Sequence, residues 1–229
     1  MFKSKLKLIL IGGIGLLSIA GAVIAATTAI SAPAIVRLAH LSPDAAAVDF
    51  YVNNVKVEPA LSFGQVGPAV AVADGQALII ARVAGTAPDS APLIWAYVTL
   101  YPGATHIVAL ANTMEYLQVT THVVPSGGLI GSHGRVHVIH ALPRGPRVDI
   151  ELADGRIALN DLGYLEQPSA YFDLPTGQHR ILAITETDPR VLVFDIPALT
   201  LQEGTVYTIV IAGSPTGTPP VQAILVATP

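Results

Sequence analysis

Apolar and polar positions alternate along most of the chain with a period of two, not 3.6. Val36, Leu38 and His40 alternate with Arg37 and Ala39, and Val48, Phe50 and Val52 alternate with Asp49, Tyr51 and Asn53. That is the pattern of strands with one face in a core. Further strands are predicted around 69–73, 76–84, 93–100, 104–112 and 117–124, punctuated by turns such as Asp74-Gly75 and Tyr101-Pro102-Gly103. A second series follows near 135–142, 147–153, 169–174, 178–185, 190–196, 205–213 and 220–227. Each series has about seven short strands, brief connections and no amphipathic helix, which predicts antiparallel pairing into two packed sheets.

The two series are one sequence written twice. Val36-Arg37-Leu38-Ala39-His40 with Val48-Asp49-Phe50 returns 100 residues later as Val136-His137-Val138-Ile139-His140 with Val148-Asp149-Ile150. Gly75-Gln76 answers to Gly177-Gln178, and Leu100 with Gly103 to Leu201 with Gly204, the offset drifting only between 99 and 102. Copies of this length are domain-sized, which separates them from the short units of a solenoid. The expected architecture is all-β: two tandem immunoglobulin-like antiparallel β-sandwich domains, at 33–125 and 134–229, after an N-terminal apolar export helix. Residues 126–133, within Pro125-Ser126-Gly127-Gly128-Leu129-Ile130-Gly131-Ser132-His133-Gly134, read as a Gly-rich linker.

Residues 1–32 carry the signature of an export segment. Lys3, Lys5 and Lys7 precede an uncharged apolar run from Leu8 to Ala26. Its nineteen residues exceed the usual core of a cleaved signal and suffice to span a bilayer, so both a signal peptide and a retained signal anchor are expected alternatives. Either outcome puts the body of the protein outside the cytoplasmic membrane, at the cell surface or beyond it.

Composition narrows the function classes. Apolar residues make up 52% and charged ones 12%, too greasy for a disordered chain, while 20 Gly and 18 Pro argue against long helices. Without the three leader lysines, nine basic residues face sixteen acidic ones, and Lys56 is the only lysine left. Such a surface has little with which to neutralise a phosphate backbone, so no nucleic-acid partner is expected. Cysteine is absent, which removes disulfides, thiolate metal sites and Cys nucleophiles together.

His40-Leu41-Ser42-Pro43-Asp44-Ala45-Ala46-Ala47-Val48-Asp49-Phe50-Tyr51-Val52 resembles the H-x-S-P-D-A-P-x-V-D-V-Y-V opening of domain of unknown function family 4397, common and often tandem in secreted and surface-exposed bacterial and archaeal proteins. The first copy departs at Ala46, where the family usually has proline. The second keeps His140, Pro143, Val148 and Asp149 but replaces the S-P-D-A stretch with Leu142-Pro143-Arg144-Gly145. The resemblance implies a β-sandwich outside the cell and brings no catalytic residue.

The motif residues themselves read as structural. Ser42-Pro43-Asp44 is turn chemistry between the first two strands. His40 shares the parity of Val36 and Leu38, so its ring is expected to point inward and bond a loop carbonyl. Asp49 lies opposite Val48 and Phe50, where it accepts from a loop N–H or from the histidine. A metal-bound or catalytic His40/Asp49 pair is the competing reading. His133, His137 and His140 crowd in sequence, but strand geometry sends His137 and His140 to opposite faces.

Trp95, Tyr97 and Tyr101 share one side of a strand, either as a stacking platform for sugar rings or an adhesive patch, or with Trp95 and Tyr97 filling the core beside Phe63 and Tyr101 covering its edge. Glu166, Asp173, Asp161, Glu186 and Asp188 are the carboxylates from which a hydrolytic pair would have to be drawn. No G-x-S-x-G, H-E-x-x-H or Walker A pattern occurs. The expectation is therefore a non-catalytic surface module for adhesion, envelope structure or partner binding, without metal or cofactor. A carbohydrate-binding accessory protein is the alternative, and an extracellular hydrolase a more distant one. Partners are expected to be a protein or a cell-envelope glycan, with membrane contact only through an uncleaved leader.

Overall fold

The computed structural model describes residues 31–129, 131–166, 170–187 and 189–228. The export segment expected at 1–32 thus falls almost wholly outside the described residues, as does Asp188. Among the described residues no helix is long and apolar enough to cross a membrane.

Among the described residues the chain is all-β, with eight strands in each copy. The first copy contains β1 (Ala34–His40), β2 (Val48–Val52), β3 (Val55–Leu61), β4 (Val70–Val72), β5 (Gly75–Val83), β6 (Ile94–Leu100), β7 (Thr105–Ala111) and β8 (Gln118–Val124), with a 3-10 turn at Met114–Tyr116. The second contains β9 (His133–Ala141), β10 (Val148–Leu152), β11 (Ile157–Leu162), β12 (Ala170–Pro175), β13 (Gly177–Thr185), β14 (Leu192–Leu201), β15 (Val206–Ala212) and β16 (Gln222–Thr228). They form four four-stranded sheets, ordered β4-β1-β7-β8 and β3-β2-β5-β6 in the first copy, β12-β9-β15-β16 and β11-β10-β13-β14 in the second.

Two expectations are corrected. The count of about seven strands missed β3 and its counterpart β11, both edge strands. Lys56, Glu58 and Pro59 in β3, and Asn160 and Asp161 in β11, hide the alternation, and such residues are tolerated at an edge because one side of the ladder is unpaired. Purely antiparallel pairing also fails. β1 runs parallel to β7, and β9 parallel to β15, in the same relative register. Between β1 and β7 the chain crosses to the second sheet, comes back as β4 and crosses again, and β9 reaches β15 by the same route through β12; parallel neighbours require a long connection of this kind.

Within each copy the two sheets close on one core. In the first, Val36 and Leu38 of β1 and Val108 and Leu110 of β7 meet Phe50, Ile79, Ala81 and Leu100 of the facing sheet. In the second, Val136, Val138, Ile209 and Ile211 meet Ile150, Ile181, Ala183 and Leu201. These are the inward faces that the period of two marks.

A third core joins the copies. Ala39, Leu41, Ile107, Ala109, Ala111 and Val124 of the first pack with Ile139, Ala141, Val206, Val210 and Ala212 of the second. Apart from Leu41, just past the end of β1, and Val124 on β8, these residues occupy the other faces of β1, β7, β9 and β15. Every residue of β15 is buried, and in β7 only Thr105 is not. A strand covered on both faces loses its polar side, which is why these segments read as continuous apolar runs. The sheets β4-β1-β7-β8 and β12-β9-β15-β16 therefore pack face to face between the copies, and residues Ser31–Pro229 make one compact unit.

Polar contacts fasten the same junction. Arg135, 6% exposed, pairs through both nitrogens of its fork with Asp173 at 2.6 and 2.8 Å, and donates to the Pro125 and Gly127 carbonyls at 3.2 and 2.9 Å. It thereby anchors the start of the Gly-rich connection. At Gly64 φ is +81°, and a Cβ there would lie 2.5 Å from the Gln222 amide nitrogen, so glycine lets this first-copy loop close against β16.

Candidate functional site

The motif loops are built in the same way in both copies. His40 and His140 are fully buried, and each ring donates from Nε2 to the carbonyl six residues on, Ala46 and Pro146, at 2.9 Å. A carbonyl can only accept, so the proton is on Nε2. In the second copy Leu142 N–H donates to the remaining Nδ1 at 3.4 Å. Burial lowers both histidine pKa values, the carbonyl hydrogen bonds opposing it, and the neutral ring acts as a brace between strand and loop.

Asp49 and Asp149 perform a second shared task. Their Oδ1 atoms accept the backbone N–H of Ala60 at 2.8 Å and of Asp161 at 3.0 Å. Ala60 and Asp161 have φ of 50° and 54°, each beside a register shift in the edge strand. The carboxylate thus satisfies a donor that the bulge removes from the ladder. Val48 and Val148 sit beside these aspartates, wholly buried in the two cores. His40 and Asp49 spend their hydrogen bonds on separate partners and do not form a pair.

The surroundings of the two aspartates differ. Asp49 also accepts from Lys56 at 2.6 Å and Gly85 N–H at 3.3 Å. Burial raises its pKa, but these donors together with Ala60 outweigh burial and leave it lowered. Asp149 instead accepts from Arg190 at 2.7 Å, and Arg190 also holds Glu151 at 2.5 Å. Arg147 pairs with Asp161 and with Glu166, the latter at 2.9 Å. The Glu186 carboxyl is raised by desolvation and by the carboxyls of Asp161 and Asp149. Among the described residues no group of three or more His, Asp and Glu has the geometry to hold a metal ion.

Ser42, Pro43 and Asp44 tie the first motif loop to the 3-10 turn: Asp44 Oδ1 accepts from Met114 N–H at 2.8 Å and from the Ser42 hydroxyl at 3.3 Å. The second copy has Arg144 where the first has Asp44. Arg144, at φ 57°, reaches back to the first copy, 3.7 Å from Glu115 and with its guanidinium carbon 5.5 Å from the Tyr116 ring centroid. The motif loops of both copies consequently border one cleft of about 300 Å³, lined by Pro43, Thr113, Pro143, Arg144, Ser214 and Pro215 among others. Sequence reasoning singled out Pro43 and Pro143 but missed Arg144 and the 213–216 loop, because nothing local says that two loops a hundred residues apart share a cleft.

The histidines crowded in sequence point three ways. His140 braces its loop, His133 lies half-buried at the start of β9, and His137 faces the other copy with Nδ1 3.0 Å from the Thr208 hydroxyl. His122 of the first copy lies at the same junction. Burial lowers His122 to about 4 and, with the nearby His122 charge adding to it, His137 to about 3.

Trp95, Tyr97 and Tyr101 are 59%, 64% and 55% exposed, which overturns the core-filling alternative. Phe50 is the large side chain inside the sandwich. Trp95 and Tyr97 meet edge to face with centroids 6.2 Å apart, and Tyr101 stacks on buried His106 at 5.8 Å.

Two fused copies of an eight-stranded all-β unit, each carrying a buried histidine brace and an aspartate-capped bulge, define a duplicated β-protein class. The chain belongs to the family described as Domain of unknown function (DUF4397), whose model matches residues 34–127 and 134–227. No curated protein matches the chain. Among solved structures, the Bacillus anthracis TIE protein is similar over 80% of this chain at 15% identity, with a TM-score of 0.26. This chain spans 34% of that protein's length.

Proposed function

We propose that this is an exported, non-catalytic contact protein: two immunoglobulin-like sandwiches at the cell surface that present the shared motif-loop cleft to a protein or envelope partner. The convergence of Pro43, Pro143 and Arg144 from both copies on one cleft carries this reading. The interface core supports it, because loops held by a packed junction meet a partner with less ordering to lose on binding. The parallel pairing of first and penultimate strands in each copy is compatible with the immunoglobulin-like reading, and the lysine-flanked apolar leader with export.

The test is binding of the purified protein to cell-envelope fractions, measured beside a panel of ester, glycoside and peptide substrates. Arg144→Ala and Thr216→Trp, which strip and fill the cleft, should abolish envelope binding without changing Tm. Turnover that disappears on a single Asp, Glu or His substitution at unchanged Tm would overturn the proposal.

A further inference from the structure

We infer that the first copy alone carries a binding site for an uncharged polysaccharide chain, in the groove between the edge strands β6 and β8. This names a partner chemistry for the contact protein proposed above and rests on that reading. The groove encloses about 480 Å³, within the range of small-ligand sites. Tyr97, Thr99, Tyr101, Thr120 and Thr121 line it together with three valines, and no lining residue is ionised. Trp95 extends the aromatic surface along β6, two residues from Tyr97 and on the same face.

Aromatic faces beside hydroxyls are the chemistry that a sugar ring requires. Its C–H faces lie on the ring and its hydroxyls exchange hydrogen bonds at the rim. Thr99 accepts from the Gln76 amide at 2.8 Å, which orients its own O–H to donate outward. Tyr101 is held in place: its N–H donates to His106 Nε2 at 3.0 Å, and its ring stacks on that imidazole with 22° between planes. One face of Tyr101 is thus taken and the other remains for a ligand. The absence of ionised lining residues disfavours anionic chains, which need a cation to replace their water.

The duplication supplies the independent observation. Pairing of Gly75 with Leu100 and of Gly177 with Leu201 aligns the two copies of this sheet. Trp95, opposite Ile80, then corresponds to Asp195, opposite Leu182, and Leu78 corresponds to Arg180. In the second copy Arg180 and Asp195 form a two-bonded ion pair at 3.0 and 2.7 Å, an ordinary solvated sheet face. The fold accepts a salt bridge where the first copy places an exposed tryptophan, so packing does not demand the aromatic surface.

Trp95 is the chain's single tryptophan, so its fluorescence reports on this surface alone. Titrating the purified protein with cellotetraose, maltotetraose, mannotetraose and chitotetraose should give a saturable blue shift with at least one of them. Tyr101→Ala and Tyr97→Ala should each weaken that binding by about tenfold at unchanged Tm, while Asp195→Ala leaves it intact. No saturable change with any of the four, or binding only to anionic polygalacturonate, would overturn the inference. Envelope binding that survives Trp95→Ala with Tyr97→Ala but disappears with Arg144→Ala would also sink it while sparing the contact-protein reading; loss of neither would leave neither standing.

Discussion

The two copies agree where the chain must be held and differ where it meets solvent. His40 and His140 make the same hydrogen bond six residues ahead, and Asp49 and Asp149 cap the same bulge. Around these fixed points, Lys56 is exchanged for the Arg190–Glu151 arrangement, Asp44 for Arg144, and the Trp95 face for the Arg180–Asp195 pair. Two solutions to one folding problem in a single chain separate structural necessity from local liberty without reference to any other protein. The features the copies do not share are those with room for function.

Across the junction the copies are also unequal. At corresponding positions the first contributes Arg37, Ile107 and His122, and the second His137, Thr208 and Val226. The largest expected effect is acid destabilisation of this asymmetric core. His122 and His137 titrate near 6.5 when unfolded but at about 4 and about 3 when folded. Both are neutral in either state above pH 6.5, so no stability is lost there. As pH falls from 6.5 towards 4, chiefly the unfolded chain takes up these protons and stability declines; below about 4 the folded chain begins to protonate at His122 as well and the slope eases. The two together should cost on the order of 5 kcal/mol by pH 4. Denaturant melts from pH 7.5 to 4 should show this slope, and His137→Gln should flatten it; an unchanged slope would place the acid sensitivity elsewhere.

The next effect tests whether the shared aspartates act alike despite unlike neighbours. Asp49→Ala and Asp149→Ala should each destabilise by about 1–3 kcal/mol, the usual cost of orphaning a buried donor. Lys56→Met and Arg190→Met should each cost under about 1 kcal/mol, since both cations are more than a third exposed. If the cation substitutions cost as much as the aspartate ones, the ion pairs and not the capped bulges are what the copies need in common.

His40→Ala and His140→Ala sharpen the comparison further. Each should cost about 1–3 kcal/mol through the orphaned loop carbonyl. The second should be the more costly, because Leu142 N–H also loses its acceptor. Equal losses by urea denaturation would mean that this 3.4 Å contact contributes nothing.

The smallest effect comes from exchanging the solvent faces. Leu78→Arg with Trp95→Asp, which writes the second copy's pair into the first, should change stability by no more than about 0.5 kcal/mol. A loss of several kcal/mol in thermal or urea melts would show that the aromatic surface is structural after all.

Much of the fold is local and was therefore legible. Alternation over β1, β2, β5 and β6 marks a buried face, the turn residues mark the connections, and the 100-residue offset marks the duplication. His40 and its loop partner Ala46 lie six residues apart, so the brace falls within reach of inspection. Parity reports that Trp95 and Tyr97 share a face, but not whether anything covers that face. β3 and β11 escaped because edge strands tolerate the residues that break alternation.

What only the tertiary structure decided is which surfaces meet. The continuous apolar runs of β7 and β15 say that both faces of those strands are buried, yet a run of apolar residues does not name its second cover. Here that cover is the other copy. The same docking buries His122 with His137, brings Arg144 to Glu115 and opens the cleft between Pro43 and Pro143. Hydrophobic burial is non-directional, so the sequence sets how much apolar surface must be hidden while the shapes of the assembled sheets decide against what.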